Sequence, residues 1–228
     1  MSYNNGPRIV TNGLVLHLDA GNSRSYTGSG TSWSDLSQNS NGGTLTNGPT
    51  FSSISSGVVG FDGSNDYING VHNAQVDLTG NMTAEAWFYI SSNTFDWVRV
   101  FGKSDAVNNS NRTYGLWYNI GISAFLYQRY GSSAINAQVT RTVSTNTWYH
   151  MVGTSNGTSH VLYLNAEIAA SGTAGSTFYS TTTPYTVGFA GFHAPLSGYV
   201  SSVRLYNRTL SASEIRQNYH ATKGRFGL

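Results

Sequence analysis

Glycoside hydrolysis needs two carboxyl groups facing one cleft, one as acid and one as nucleophile or base, and this chain holds three glutamates, Glu85, Glu167 and Glu214. No two are close in sequence. Glu214 stands three residues after Ser211, the spacing of a capping box, so helix capping accounts for it. Glu85 alternates with Trp87 on one face of MTAEAWFYI (82–90). A carboxylate buried there requires a cation, and Arg204 in the last strand pattern is the candidate for a structural Glu85–Arg204 pair. Glu167 stands singly after a turn. The chain has no cysteine, no G-x-S-x-G elbow and no H-E-x-x-H, and its six histidines are scattered. His150, inside an apolar strand pattern, reads as a buried, hydrogen-bonded histidine. These residues define no catalytic group, and the expectation is a protein that is not an enzyme.

Binding chemistry is better supplied. FDGSNDYI (61–68) sets Asp62, Asn65 and Asp66 within five residues. They suit a calcium ion, which takes about six to eight oxygens, or a turn in which Asp62 and Asn65 bond their own backbone. The segment YGLWYNIGISAFLYQRYG carries Tyr114, Trp117, Tyr118, Tyr127, Arg129 and Tyr130. Alternate strand residues face opposite ways, so about half of this set is expected on the surface. A second group, Tyr179, Tyr185, Phe192 and His193, falls in loops nearer the end. Exposed aromatics beside polar groups serve as a glycan platform or, equally, as a subunit contact.

The elements that position these residues are almost all strands. Period-two alternation marks Leu14 to Asp19, Val58 to Phe61, Met82 to Ile90 and Trp97 to Lys103, the last two read as neighbours. It continues through a hairpin of Thr113 to Ile120 and Ile122 to Tyr130, turned at Gly121. Ile135 to Thr140, Trp148 to Thr154, His160 to Asn165, Tyr185 to Ala190 and Tyr199 to Tyr206 complete the series. Asp62 and Gly63 form a hairpin signal, and Asp19 to Asn47 reads as a long, turn-rich loop anchored by Trp33 and Leu36. One helix closes the chain: Ser211 and Glu214 cap it, Leu210 and Ile215 staple it, and Lys223 with Gly224 supplies its stop. About ten to twelve evenly spaced strands and one helix predict an all-β sandwich in one domain, residues 13–228. A polar N-terminal arm, residues 1–12, precedes it and is either free or a docking segment.

Composition excludes several classes. Across 228 residues, 10% are charged and the net charge is +2, without a basic run, which argues against nucleic acid. No apolar run approaches the roughly 20 residues that span a membrane. The polar, uncharged surface is of a kind common outside cells, yet MSYNNGPRIVTNG shows no export signal. Release by host-cell lysis reconciles the two.

Several segments together, GLVLHLDAG (13–21), FDGSNDYI, MTAEAWFYI, NTWYHMVGTSNG (146–157) and the closing strand and helix, resemble laminin G-like, concanavalin A-like jelly rolls. The resemblance implies an antiparallel β-sandwich with adjacent first and last strands, in a family of glycan- or protein-binding modules, many of which bind calcium. Where many relatives carry an acidic residue in the closing strand, this chain has Ser201 and Ser202, which puts inherited metal binding in doubt. A narrower resemblance, carried by GLVLHLDAGNSRSY, the W-x-D-L at 33–36, TLTNGPTF (44–51) and NYHATKGRFGL (218–228), is to virion proteins of large tailed phages, notably marine and cyanobacterial ones. It implies a capsid-decoration or tail-fibre component on the virion surface. Its partners would be other virion proteins, further copies of itself as a homo-oligomer, and host cell-surface glycans. A free lectin, calcium-dependent or not, is the alternative, and a glycoside hydrolase ranks third.

Overall fold

The computed structural model describes residues 7–92, 96–104, 111–131, 134–173, 178–189, 191 and 193–228. Its strands are, in chain order, β1 (Leu14–Asp19), β2 (Ser32–Trp33), β3 (Gly43–Thr46), β4 (Thr50–Ser52), β5 (Val58–Asp62) and β6 (Tyr67–Asn69). Then come β7 (Met82–Ile90), β8 (Val98–Ser104), β9 (Arg112–Asn119), β10 (Ala124–Tyr130) and β11 (Ala134–Thr140). The series ends with β12 (Thr147–Ser155), β13 (Ser159–Leu164), β14 (Glu167–Thr173), β15 (Thr186–Val187) and β16 (Ser197–Tyr206), followed by the helix α1 (Ala212–Thr222).

Two antiparallel sheets form a sandwich. The first runs β14-β13-β12-β7-β16-β5-β4, with β1 also paired to β16; the second runs β11-β10-β9-β8-β15-β6-β3-β2. First and last strands are therefore adjacent, with His17 opposite Arg204. Alternation fills the space between the sheets: Ala84, Ala86 and Phe88 of β7 meet Leu116 and Tyr118 of β9 and Phe125 of β10 in one buried cluster. Phe88 and Tyr118 stack with centroids 6.3 Å apart.

The first sheet is buried on its outer face as well, because α1 lies across it. Ile215 packs with Val10, Val152, Tyr206 and Leu210, and Trp87 stacks on Tyr219 and on Phe226 beyond the helix. Ser211 caps the helix as expected, its Oγ accepting from Glu214 N while Ser211 N donates to Glu214 Oε2 at 2.8 Å. The stop lies further on than Gly224. A 3-10 turn, Lys223–Phe226, prolongs the helix and ends at Gly227, whose φ of 72° is the left-handed conformation that glycine adopts without strain.

Three other expectations change. β8 is not a neighbour of β7: β7 pairs with β12 and β16, and β8 belongs to the opposite sheet. Both strands are apolar and close in sequence, and nothing in their patterns shows that the intervening loop crosses the sandwich. The turn at Asp62 and Gly63 likewise carries the chain from β5 in one sheet to β6 in the other, so it is a crossover and not a hairpin. Within 19–47, two short strands, β2 and β3, form the edge of the second sheet. β4 and β14 also form, with β14 largely exposed at an edge.

Residues 1–6 of the N-terminal arm, most of the loop before β9 and Phe192 lie outside the described residues. The rest of the arm is docked on its own chain. Val10 N donates to Asn218 Oδ1 at 2.8 Å, and Val10 O accepts from Tyr206 Oη at 3.0 Å.

Candidate glycan-binding groove

On the outer face of the second sheet, residues that alternate with the core line a groove. In β6, Ile68 enters the core while Tyr67 and Asn69 face out; in β15, Val187 is in and Thr186 out. The groove's cavity of about 400 Å³ is bounded by Asn47, Tyr67, Asn69, Arg99, Thr186 and Phe189. That is within the range of ordinary ligand pockets. Tyr67 and Phe189 form an aromatic corner, with centroids 6.1 Å apart. Asn69 also borders a second hollow of about 380 Å³ between Trp33, Asp35, Gly43 and Val71, so the two hollows adjoin.

The floor beside Arg99 is shaped by two glycines. Gly102 of β8 lies directly opposite Gly115 of β9. A Cβ on Gly102 would come within 3.0 Å of Arg99 Cδ, and one on Gly115 within 2.2 Å of Trp117 Nε1. The bare backbone thus lets the Arg99 stem and the Trp117 indole lie flat on the sheet. Arg99 Nη1 donates to Ser104 Oγ, and Nη2 to Thr186 Oγ1 at 2.7 Å. Burial, with Arg112 nearby, lowers the Arg99 guanidinium to about 9. The same surroundings hold His193 down to about 4, burial first and then Arg112 and Arg99.

The aromatic hairpin does not form an exposed platform. Tyr114, Trp117, Tyr118, Tyr127, Arg129 and Tyr185 are all buried. Tyr114, Tyr118, Tyr127 and Tyr185 belong to the core between the sheets. Trp117 faces outward, as alternation predicts, but it packs with Ala124, Leu126 and Trp97 and meets His193 edge-on at 4.6 Å. Arg129 donates to the carbonyls of Thr113, Leu78 and Gly80. Tyr130 and His193 remain half-buried, Tyr130 stacked on the exposed Tyr179. Alternation counts faces correctly and cannot see that loops roof the outer one. Tyr67, Asn69, Asn47, Thr186 and Phe189 were not singled out; the outward positions of Tyr67 and Asn69 around Ile68 were the available signal.

The Asp62, Asn65, Asp66 cluster is a turn. Asp66 Oδ2 accepts from Asp62 N at 3.0 Å, Asp62 Oδ1 from Ser64 N at 2.8 Å, and the Asn65 carbonyl from Asn47 Nδ2 at 3.0 Å. Among the described residues no three His, Asp or Glu side chains converge as metal ligands. Ser201 is buried; it donates to Gly57 O at 3.1 Å and accepts from Arg225 Nη2 at 2.8 Å.

Glu85 lies beneath α1 on the other sheet. Arg204 Nη1 donates to its Oε1, His150 Nε2 bonds the same oxygen at 3.0 Å, and Asn218 Nδ2 donates to Oε2 at 2.7 Å. Burial alone would raise this carboxyl, but Arg204, His150 and Asn218 hold it well below its ordinary range. The expected ion pair is present, and it is sealed from solvent.

These features define a lectin-type β-sandwich with a polar groove on one sheet. The chain belongs to the concanavalin A-like lectin/glucanases superfamily, whose laminin G-type family model matches residues 62–216. No curated protein matches the chain in sequence. Among solved structures it is similar to domain 4 of AbnA, a GH43 extracellular arabinanase from Geobacillus stearothermophilus in complex with arabinotriose, with 16% identity over 90% of this chain and 98% of that one and a TM-score of 0.69. It is also similar to the botulinum neurotoxin serotype D binding domain, with 14% identity over 92% of this chain and 52% of that one and a TM-score of 0.70. The Trypanosoma rangeli sialidase in complex with sialic acid matches at 19% identity over 93% of this chain, with a TM-score of 0.69; this chain spans 33% of it.

Proposed function

We propose that this chain is a non-enzymatic glycan-binding module that seats a saccharide in the groove between Tyr67, Asn69, Thr186 and Phe189. The observation that carries this reading is the groove itself: a concave hydrogen-bonding surface with an aromatic corner, built by outward-facing residues of β6, β8 and β15 and the loops beside them. Aromatic faces cover the apolar side of a sugar ring, while amides and hydroxyls bond its edges. A structurally similar arabinanase domain described with arabinotriose and similar toxin binding domains support it.

Hydrolysis is disfavoured by the placement of the acids. Glu85 is sealed under α1, Glu214 caps the helix and Glu167 lies on the edge strand β14. The acid bordering the adjoining hollow, Asp35, accepts from the backbone N–H groups of His17, Ser37 and Asn41. No described pair of carboxyls faces a common cleft there.

The setting we propose is the surface of a tailed-phage virion, on the strength of the motifs at the two ends of the chain, with the module attached to capsid or tail as a homo-oligomer. Mass spectrometry of purified particles tests this, since a virion component must be present in them and its absence refutes the placement. For the groove, the test is a glycan array followed by titration. Specific binding is expected, weakened at least tenfold by Tyr67→Ala or Asn69→Ala. Binding that survives both substitutions moves the site elsewhere, and no binding across the array refutes the reading.

A further inference from the structure

The groove holds a charge that none of the described residues around it compensates. Arg99 is 3% exposed, and its bonds go to two neutral hydroxyls, Ser104 Oγ and Thr186 Oγ1. Its Nε has no hydrogen-bond partner. Arg112 sits close by: the Arg99 and Arg112 guanidinium carbons lie 5.5 Å and 5.2 Å from the centre of the same Trp117 ring. Among the described residues neither arginine forms an ion pair. By contrast Arg204, Arg208 and Arg225 each pair with a carboxylate, and each nitrogen of the Arg129 guanidinium donates to a backbone carbonyl.

Burying a guanidinium is costly unless an anion or several strong acceptors replace its water. Two hydroxyls and an indole face replace part of that hydration; a second cation on the same indole adds repulsion. Arginine presents a planar fork that matches carboxylate and sulfate oxygens, and Arg99 lines the groove.

We infer that the groove selects an acidic saccharide, whose carboxylate or sulfate docks at the Arg99–Arg112 pair while its ring lies toward Tyr67 and Asn69. This rests on the glycan-binding reading above and adds the charge class of the ligand. The hollow across Asn69, beside Trp33, Asp35 and Gly43, would then take the next, uncharged residue of the chain.

The test compares each acid with its own methyl ester, which keeps the sugar skeleton and removes the charge. The full chain is titrated by calorimetry with sialyllactose and trigalacturonate, with their methyl esters, with a sulfated disaccharide and with inorganic sulfate. Expected is at least one acidic sugar binding tenfold or more tighter than its neutral form, with an advantage that shrinks as salt rises. Arg99→Gln should reduce the acid to the affinity of its ester. Because Arg99 is buried and this variant may not fold, the half-buried Arg112→Gln is measured alongside, with chemical-shift mapping on the unmodified protein to place the acid beside Trp117. Equal binding of acids and esters overturns the inference and leaves the glycan reading standing. Inorganic sulfate as tight as the acidic sugars also overturns it, leaving a plain anion site. If no sugar binds, neutral or acidic, both readings fall.

Discussion

Arg225 Nη1 lies 2.9 Å from Asp19 Oδ1 and 3.1 Å from Oδ2, joining the end of the first strand to the last turn of the chain. The same guanidinium donates to the carbonyls of Ser55 and Gly57 and to Ser201 Oγ. Beside it Phe226 stacks on Trp87 at 4.1 Å. The opening and closing motifs of this sequence are thus two halves of one clasp over the first sheet. Arg225→Ala leaves a largely buried Asp19 with one fewer charged partner, a loss of about 1–3 kcal/mol. For a domain of this size that lowers the melting temperature by about 2–4 °C per kcal/mol. An unchanged melting temperature by calorimetry would show that the clasp contributes nothing.

Much of this architecture was legible in the residues. Period-two alternation located β1, β7 and β12 to within one residue and β16 to within two, and the Ser211–Glu214 spacing fixed the helix start. Glu85 and Arg204 could be paired because a buried carboxylate demands a cation and the closing strand offered one. Sheet membership was not legible: β7 and β8 look alike, and only the packed whole decides which sheet each joins. The groove was hidden for another reason. Apart from Arg99 and Ser104 of β8, its polar residues come from short strands and loops, β6, β15 and the turn at Asn47, where no periodic pattern develops, whereas the eye-catching aromatics of β9 and β10 were drawn into packing.

Glu85→Gln tests the network under α1. The substitution keeps shape and removes the charge opposite Arg204, leaving a buried guanidinium without its anion, which costs about 3–5 kcal/mol. Replacing both partners with methionine should cost less than the single change, since no orphaned charge remains. Urea unfolding of both variants checks this. A single variant as stable as the parent would mean that the pair is dispensable.

Acid stability should fall earlier than carboxylates alone would predict. Burial and then Arg204 lower His17 to about 3; burial and then Arg129 lower His160 to about 4; His193 stands near 4 as well. Each binds its proton more weakly when folded than in the unfolded chain, where histidine titrates near about 6.5. Their contribution is complete above that value and is lost as pH falls from about 6.5 toward 4 and 3. Glu85, also depressed, adds a second loss below its unfolded value of about 4.3. Urea midpoints should be level from pH 8 to 7 and decline between 6.5 and 5. A midpoint constant down to pH 5 would contradict the neutral, buried histidines.

Gly115 is the most economical place to probe how the groove is built. A Cβ there meets the Trp117 indole at 2.2 Å, so the ring, packed with Leu126 and His193, must shift. Gly115→Ala therefore tilts the indole and separates it from Arg99 and Arg112, at a cost of about 1–3 kcal/mol of overpacking. The indole N–H resonance of Trp117 should move while the core tyrosines of the opposite face keep their positions. Gly80 supplies the control, because a Cβ on it meets nothing within 4 Å, and Gly80→Ala should leave both spectrum and melting temperature near those of the parent. If Gly115→Ala behaves like that control, Trp117 does not lie on a glycine floor and the trough beside Arg99 is not built as described.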